Sequence, residues 1–188
     1  MNREENKQKS LVTKIILIII GVLVAGGITT GVIFGIGAVN EMSKNNDYRN
    51  ALNELNSIIL KYNELSGLES ITLDQLTDEE TLKSAAANDI KKITDITDYI
   101  KSGINTLENE KVFTGDDIDV KNLFETLTNK RDSFINFYDI AVDAYKLKAE
   151  GNFAGAKDKM LSGDMKADSE FATALNELNQ YLVNKANN

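Results

Sequence analysis

Residues 77–107, TDEETLKSAAANDIKKITDITDYIKSGINTL, decide the fold. Apolar side chains fall at Leu82, Ala86, Ile90, Ile93, Ile96 (with Thr97), Ile100, Ile104 and Leu107, in steps of three or four. That spacing draws one stripe along an α-helix. Ile and Thr favour strands, but a half-buried strand alternates every second residue, and this segment does not. Period therefore overrides propensity. Thr77, with Glu80 three residues on, reads as a capping box that starts the helix. Gly103 interrupts it at a cost of about 1 kcal/mol in helix propensity.

The same period extends to both sides. The 188-residue chain has no proline, so little stops a helix once begun. A first helix is expected through Leu52, Leu55, Ile58 or Ile59, Tyr62 and Leu65, with Gly67 as its C-terminal stop. A third begins near Asp117 and carries Val120, Leu123, Leu127, Phe134, Phe137 or Tyr138, Ala141 and Tyr145 as far as Gly151–Asn152. Asn152 then caps a fourth, with Ala156, Met160, Phe171, Leu175, Leu178 and Leu182, and the S-G-D at 162–164 marks a kink or break. Helices two to four are each expected at about 34 residues, roughly 50 Å. Such stripes are stable in water only when they face one another, and short connections make neighbours antiparallel.

A second feature places the chain. From Ile15 to Val39, IILIIIGVLVAGGITTGVIFGIGAV, there are 25 residues without a charge. As a helix the run is about 37 Å long, enough to cross a hydrocarbon core of about 30 Å. A buried helix of a water-soluble domain would carry a polar side, and this run has none. Arg3, Lys7, Lys9 and Lys14 outnumber Glu4 and Glu5 before it, whereas 17 basic and 27 acidic residues follow it. Positive-inside counting leaves the first 14 residues in the cytoplasm and exports the remainder. A cleaved signal peptide is the competing reading, but its apolar region is usually shorter, about 7–15 residues. The expected organisation is a cytoplasmic stub (1–14), a transmembrane signal-anchor helix (15–39) and an extracytoplasmic four-helix bundle (40–188). The fold class is all-α: one N-terminal transmembrane helix continuous with an antiparallel up-down-up-down bundle, in the cell membrane as a single pass.

Within the apolar run Gly27, Gly31 and Gly35 recur every four residues, with Ala38 nearly a turn further on. Small residues in that register let a second helix approach closely, so homodimerisation through the membrane helix is expected, although membrane helices also tolerate glycine for its own sake.

Composition excludes several chemistries. There is no Cys and no His, hence no thiol nucleophile, no His general base and no zinc or haem ligation by those residues. A net charge of −8 argues against a nucleic-acid partner, which calls for a basic face. Asp116, Asp117 and Asp119 could suggest calcium, but the twelve-residue loop pattern is missing and carboxylates are favoured at helix N-termini in any case. No cofactor, no metal and no catalysis are expected.

Residues 131–182 carry a family likeness. The segment A-Y-K-L-K-A-E-G-N-F-A-G-A from Ala144, followed by A-L-N-E-L from Ala174, resembles the last two helices of the four-helix-bundle sensor domains of methyl-accepting chemotaxis receptors and related histidine kinases. A G-N-x-x-x-A turn also occurs in tetratricopeptide-like hairpins. The chemoreceptor resemblance implies an extracytoplasmic bundle that binds a ligand. Receptors of that family add a second membrane helix and a cytoplasmic signalling part, and neither is seen before Asn188. The expectation is a sensor-like module that passes any information sideways to a membrane receptor or envelope protein partner. A structural envelope or secretion-apparatus stalk is the alternative. A pilin-like subunit is disfavoured, since no acidic residue stands early in the apolar run and no strand-forming half follows.

Candidate ligand contacts lie on the third helix. In related sensor bundles an interfacial Arg can hold a carboxylate, and Arg131 stands on or beside the apolar stripe; an ion pair with a facing acid is the plainer reading. Tyr138 and Tyr145 cluster with Phe134 and Phe137, as core or as the wall of a small-ligand slot. Arg49 is expected to be exposed or to touch lipid headgroups.

Overall fold

The computed structural model describes residues 46–68 and 79–187, all-helical with turns and without a strand. The stub, the apolar run with its Gly27, Gly31, Gly35 and Ala38 register, and the Thr77 cap lie outside the described residues. Among those described, no helix is long and apolar enough to cross a membrane.

Among the described residues six helices stand where the bundle was expected to have four. They are α1 (Asn46–Asn63), α2 (Glu79–Leu107), α3 (Lys111–Thr114), α4 (Ile118–Ala149), α5 (Phe153–Leu161) and α6 (Ala167–Ala186). The expected fourth helix is two, α5 and α6, separated at the S-G-D stretch. There the Ser162 and Gly163 amides turn back onto the carbonyls of Lys159 and Met160 and end α5. Helix α3 is one turn, too short to show a period; its Val112 and Phe113 are buried, and Phe113 stacks on Phe124 of α4 at 4.4 Å.

Four long helices pack side by side: α1 against α2 and α6, and α4 against the same two. Cross-helix contacts make each neighbouring pair antiparallel. On α1 and α2, Gly67 accepts from Lys92 while Ile58 lies over Gly103. On α1 and α6, Tyr62 meets Asp168, and on α4 and α6 Phe134 stacks on Phe171. The end holding Asn46, Asp117 and Ala186 is called the base, and the end holding Asn63, Gly151 and Ala167 the tip.

The core is the set of stripes turned inward. Leu52, Leu55, Ile58 and Ile59 of α1 meet Ile93, Ile96, Ile100 and Ile104 of α2, Phe134 of α4 and Phe171 and Leu175 of α6, all essentially sealed from solvent. Each such side chain stabilises the fold by about 1.5–3 kcal/mol through apolar burial. Gly103 belongs to this packing. A Cβ there would sit 2.7 Å from Cγ1 of Ile58, so glycine is what lets α1 and α2 approach.

The turn between α4 and α5 was legible. Gly151 has φ +76°, its amide bonds to the Lys148 carbonyl at 3.0 Å and the Asn152 amide to that of Leu147 at 2.9 Å. This is the paired closure of a left-handed glycine cap. The Asn152 side chain then accepts from the Gly155 amide at 2.9 Å and starts α5. Gly67 does not act as expected: α1 ends at Asn63, and a 3-10 turn, Glu64–Gly67, carries the chain on without a left-handed residue.

Candidate functional site

Helical period sets two polar clusters at separate levels of the same three helices, at both ends of α1 and α6 and at the start and past the middle of α4. Tyr48 and Tyr62 are just under four turns apart on α1, so their phenols share a face about 21 Å apart. Asp117 and Tyr138 on α4, and Tyr181 and Asp168 on α6, complete a carboxyl with two tyrosines at each end.

At the base, Asp117 is the N-cap of α4, accepting from the Val120 amide at 3.3 Å. Tyr181 donates to its two oxygens at 2.8 and 2.9 Å, Tyr48 donates to Oδ2, and Lys185 Nζ lies 3.2 Å from the same oxygen. Partial burial works against the charge, but the donors from Tyr48, Tyr181, Val120 and Lys185 outweigh it and hold the Asp117 carboxyl well below the usual range. Burial, reinforced by the hydrogen bond to Asp117, pushes the Tyr48 phenol up to about 12.

At the tip the environment is the reverse. Asp168 is 1% exposed and lies in the first turn of α6. The Tyr62 hydroxyl is 3.1 Å from both its oxygens and that of Tyr138 is 3.1 Å from Oδ1. Around them Tyr62 packs on Phe134 and Phe171 with ring centroids 5.8 Å apart, and Phe137 meets Tyr138 edge-on at 5.2 Å. Burial pushes the Asp168 carboxyl up, and the hydrogen bonds from Tyr138 and Tyr62 only partly offset it. Both phenols are themselves raised well above their ordinary value by burial and by Asp168. The two clusters differ in one respect that matters: Lys185 serves the base, and among the described residues no cation is paired with Asp168 at the tip.

No family model matches the chain, and no curated protein or solved structure matches it either. The likeness of residues 131–182 to chemoreceptor sensor domains therefore rests on the motif alone.

The residues singled out from sequence are distributed as follows. Arg131, Tyr138 and Tyr145 repeat every seven residues on α4, which puts them on one stripe but spreads them over about 21 Å. A small ligand does not touch all three. Arg131 bonds to Asp132 Oδ1 at 2.8 Å and to Asn105 Oδ1 of α2 at 3.0 Å, so its acid partner is its own neighbour in sequence and its facing partner an amide. Tyr138 is buried and committed to Asp168, while Tyr145 is half-buried against the core. Arg49, expected to be exposed or to touch lipid headgroups, is half-buried, and its Nε and Nη2 atoms have no hydrogen-bond partner among the described residues. Asp117, weighed above as a helix start or a calcium ligand, caps α4. Asp168 was missed. Its signal was its position three residues before Phe171, which sets a carboxylate on the inward stripe of α6.

Proposed function

We propose that this chain is a membrane-anchored, extracytoplasmic helical-bundle module, sensor-like in form, that binds a ligand or a partner protein without catalysis. One observation carries the reading: a 25-residue uncharged run with basic residues before it stands ahead of a helical, acidic remainder. In this proposal α1 continues the membrane helix, so the base faces the bilayer and the tip stands away by the length of α4, about 48 Å. The glycine register within the run supports pairing of two copies in the membrane. Neither aspartate clasp supports catalysis: the Asp168 carboxyl is sealed, and four donors occupy that of Asp117. Protease treatment of intact cells tests the placement. The proposal expects residues 40–188 to be degraded while 1–14 stay protected, and a bundle left intact in cells whose other exported proteins are cut would refute it.

The alternative is a stalk or spacer of an envelope or secretion assembly. Its support is the clasp at each end, since cross-links between the same three helices stiffen a column. Co-purification of other envelope proteins from detergent extracts favours this second reading; isolation alone, together with a thermal shift on adding a small ligand, favours the first.

A further inference from the structure

Asp168 is the most deeply buried charged residue described, and its surroundings are unusual for a carboxylate. The partners facing it are neutral phenols, Tyr62 from α1 and Tyr138 from α4, with Tyr145 two turns beyond Tyr138. Two cations on the flanking helices are engaged elsewhere. Lys130 of α4 holds Glu170 at 2.6 Å, and Lys159 of α5 holds Asp143 at 2.9 Å. On α6 itself, Lys166 is exposed at the N-cap. The stretch before α6, residues 162–166, is not helical, so the first turn of α6 can lift by breaking few backbone bonds.

We propose that Tyr62, Asp168 and Tyr138 form a proton-operated latch, which holds the start of α6 against α1 and α4 when the carboxyl is protonated and loosens the tip when it ionises, while the base stays fastened. Protonated, the group is a neutral hydrogen-bonding side chain inside an aromatic cage. Ionised, it is a buried charge with two phenol donors and no counter-ion among the described residues, and burial without pairing is costly. For a carboxyl whose folded value is raised, the stabilisation is complete below the ordinary Asp range and is lost as pH rises through the folded value. Asp117 remains charged over that interval, because its folded value is lowered. The base is thus an internal reference for the tip. The use of this latch to sense acidity rests on the sensor-like reading above. The latch itself does not, so its failure and a failure of the membrane topology are read by different experiments.

Amide hydrogen exchange of the full-length chain between about pH 4 and 8, corrected for the intrinsic exchange rate, tests it. Peptides covering 165–171 should open more as pH rises, up to tenfold for each pH unit separating the folded and unfolded carboxyl values. Peptides covering 178–187 should keep a flat profile. Asp168→Asn should flatten the tip to match. If that variant does not fold, Tyr62→Phe keeps the ring packing while removing a donor that favours the charged form, and the tip midpoint should move to higher pH. Parallel profiles at tip and base, a slope that survives Asp168→Asn, or a midpoint unmoved by Tyr62→Phe would each overturn the latch.

Discussion

The hydroxyl of Tyr62 sits 3.1 Å from both carboxyl oxygens of Asp168, a residue 106 positions further along the chain. The first described helix and the last are thus joined by a side-chain bond inside the core, and Tyr138 brings α4 to the same carboxyl. An equivalent arrangement around Asp117 joins α1, α4 and α6 at the base. Helix α2 enters neither clasp. Its attachments include an isoleucine stripe, the Gly103 approach to Ile58, the packing of Leu82 and Ala86 on Ala149, and bonds at Lys92 and Asn105.

Replacing Tyr138 by Phe leaves the tilted ring contact with Phe134 in place but removes one of the two donors to Asp168. The expected loss is about 1–2 kcal/mol in urea unfolding, the range for leaving a buried polar group under-satisfied. A loss below a few tenths would mean that the bond contributes nothing to the fold.

Gly103→Ala should destabilise the protein although alanine is the better helix former. The propensity gain is at most about 1 kcal/mol, whereas the new methyl would lie 2.7 Å from Ile58 Cγ1 and force α1 and α2 apart, at about 1–3 kcal/mol. Adding Ile58→Ala should recover part of the overpacking cost, a coupling that a double-mutant cycle reads directly.

Gly151→Ala should cost about 1 kcal/mol by a different route. Nothing lies within 4 Å of a Cβ at that site, so the penalty is the left-handed backbone, φ +76°, and not a clash. No companion substitution should rescue it, and the thermal midpoint should fall by several degrees.

At the base the pH sign is opposite to that at the tip. Asp117 has a lowered folded value, so its contribution is present above the ordinary Asp range and is lost as pH falls through the folded one. Acid titration of stability should show this loss in the wild type, and Asp117→Asn should remove that part of the slope while lowering stability at neutral pH.

Periodicity carried most of the fold. The stripes of α1, α2, α4 and α6, the Asp117 start and the Gly151–Asn152 turn were all legible, because each is a local rule acting within a few residues. The misses were tertiary. Gly103 read as a weak point because only the partner helix shows why it is small. Gly67 read as a helix stop because a 3-10 turn and a glycine cap share the same residue types. Asp168 was passed over because a carboxylate on an apolar stripe gains meaning only when two tyrosines from other helices meet it. The division into α5 and α6 was foreseen as a kink or break, and one-turn α3 was too short to foresee at all.

The chain has no cysteine, so a single introduced thiol reports its own location. Leu161, 54% exposed on α5 near the tip, suits the purpose, with Ser10 in the N-terminal stub as its counterpart. In intact cells treated with a membrane-impermeant maleimide, Leu161→Cys should label at once and Ser10→Cys only after lysis. Labelling of Ser10→Cys in intact cells, with Leu161→Cys protected until lysis, would contradict the outward-facing anchored bundle.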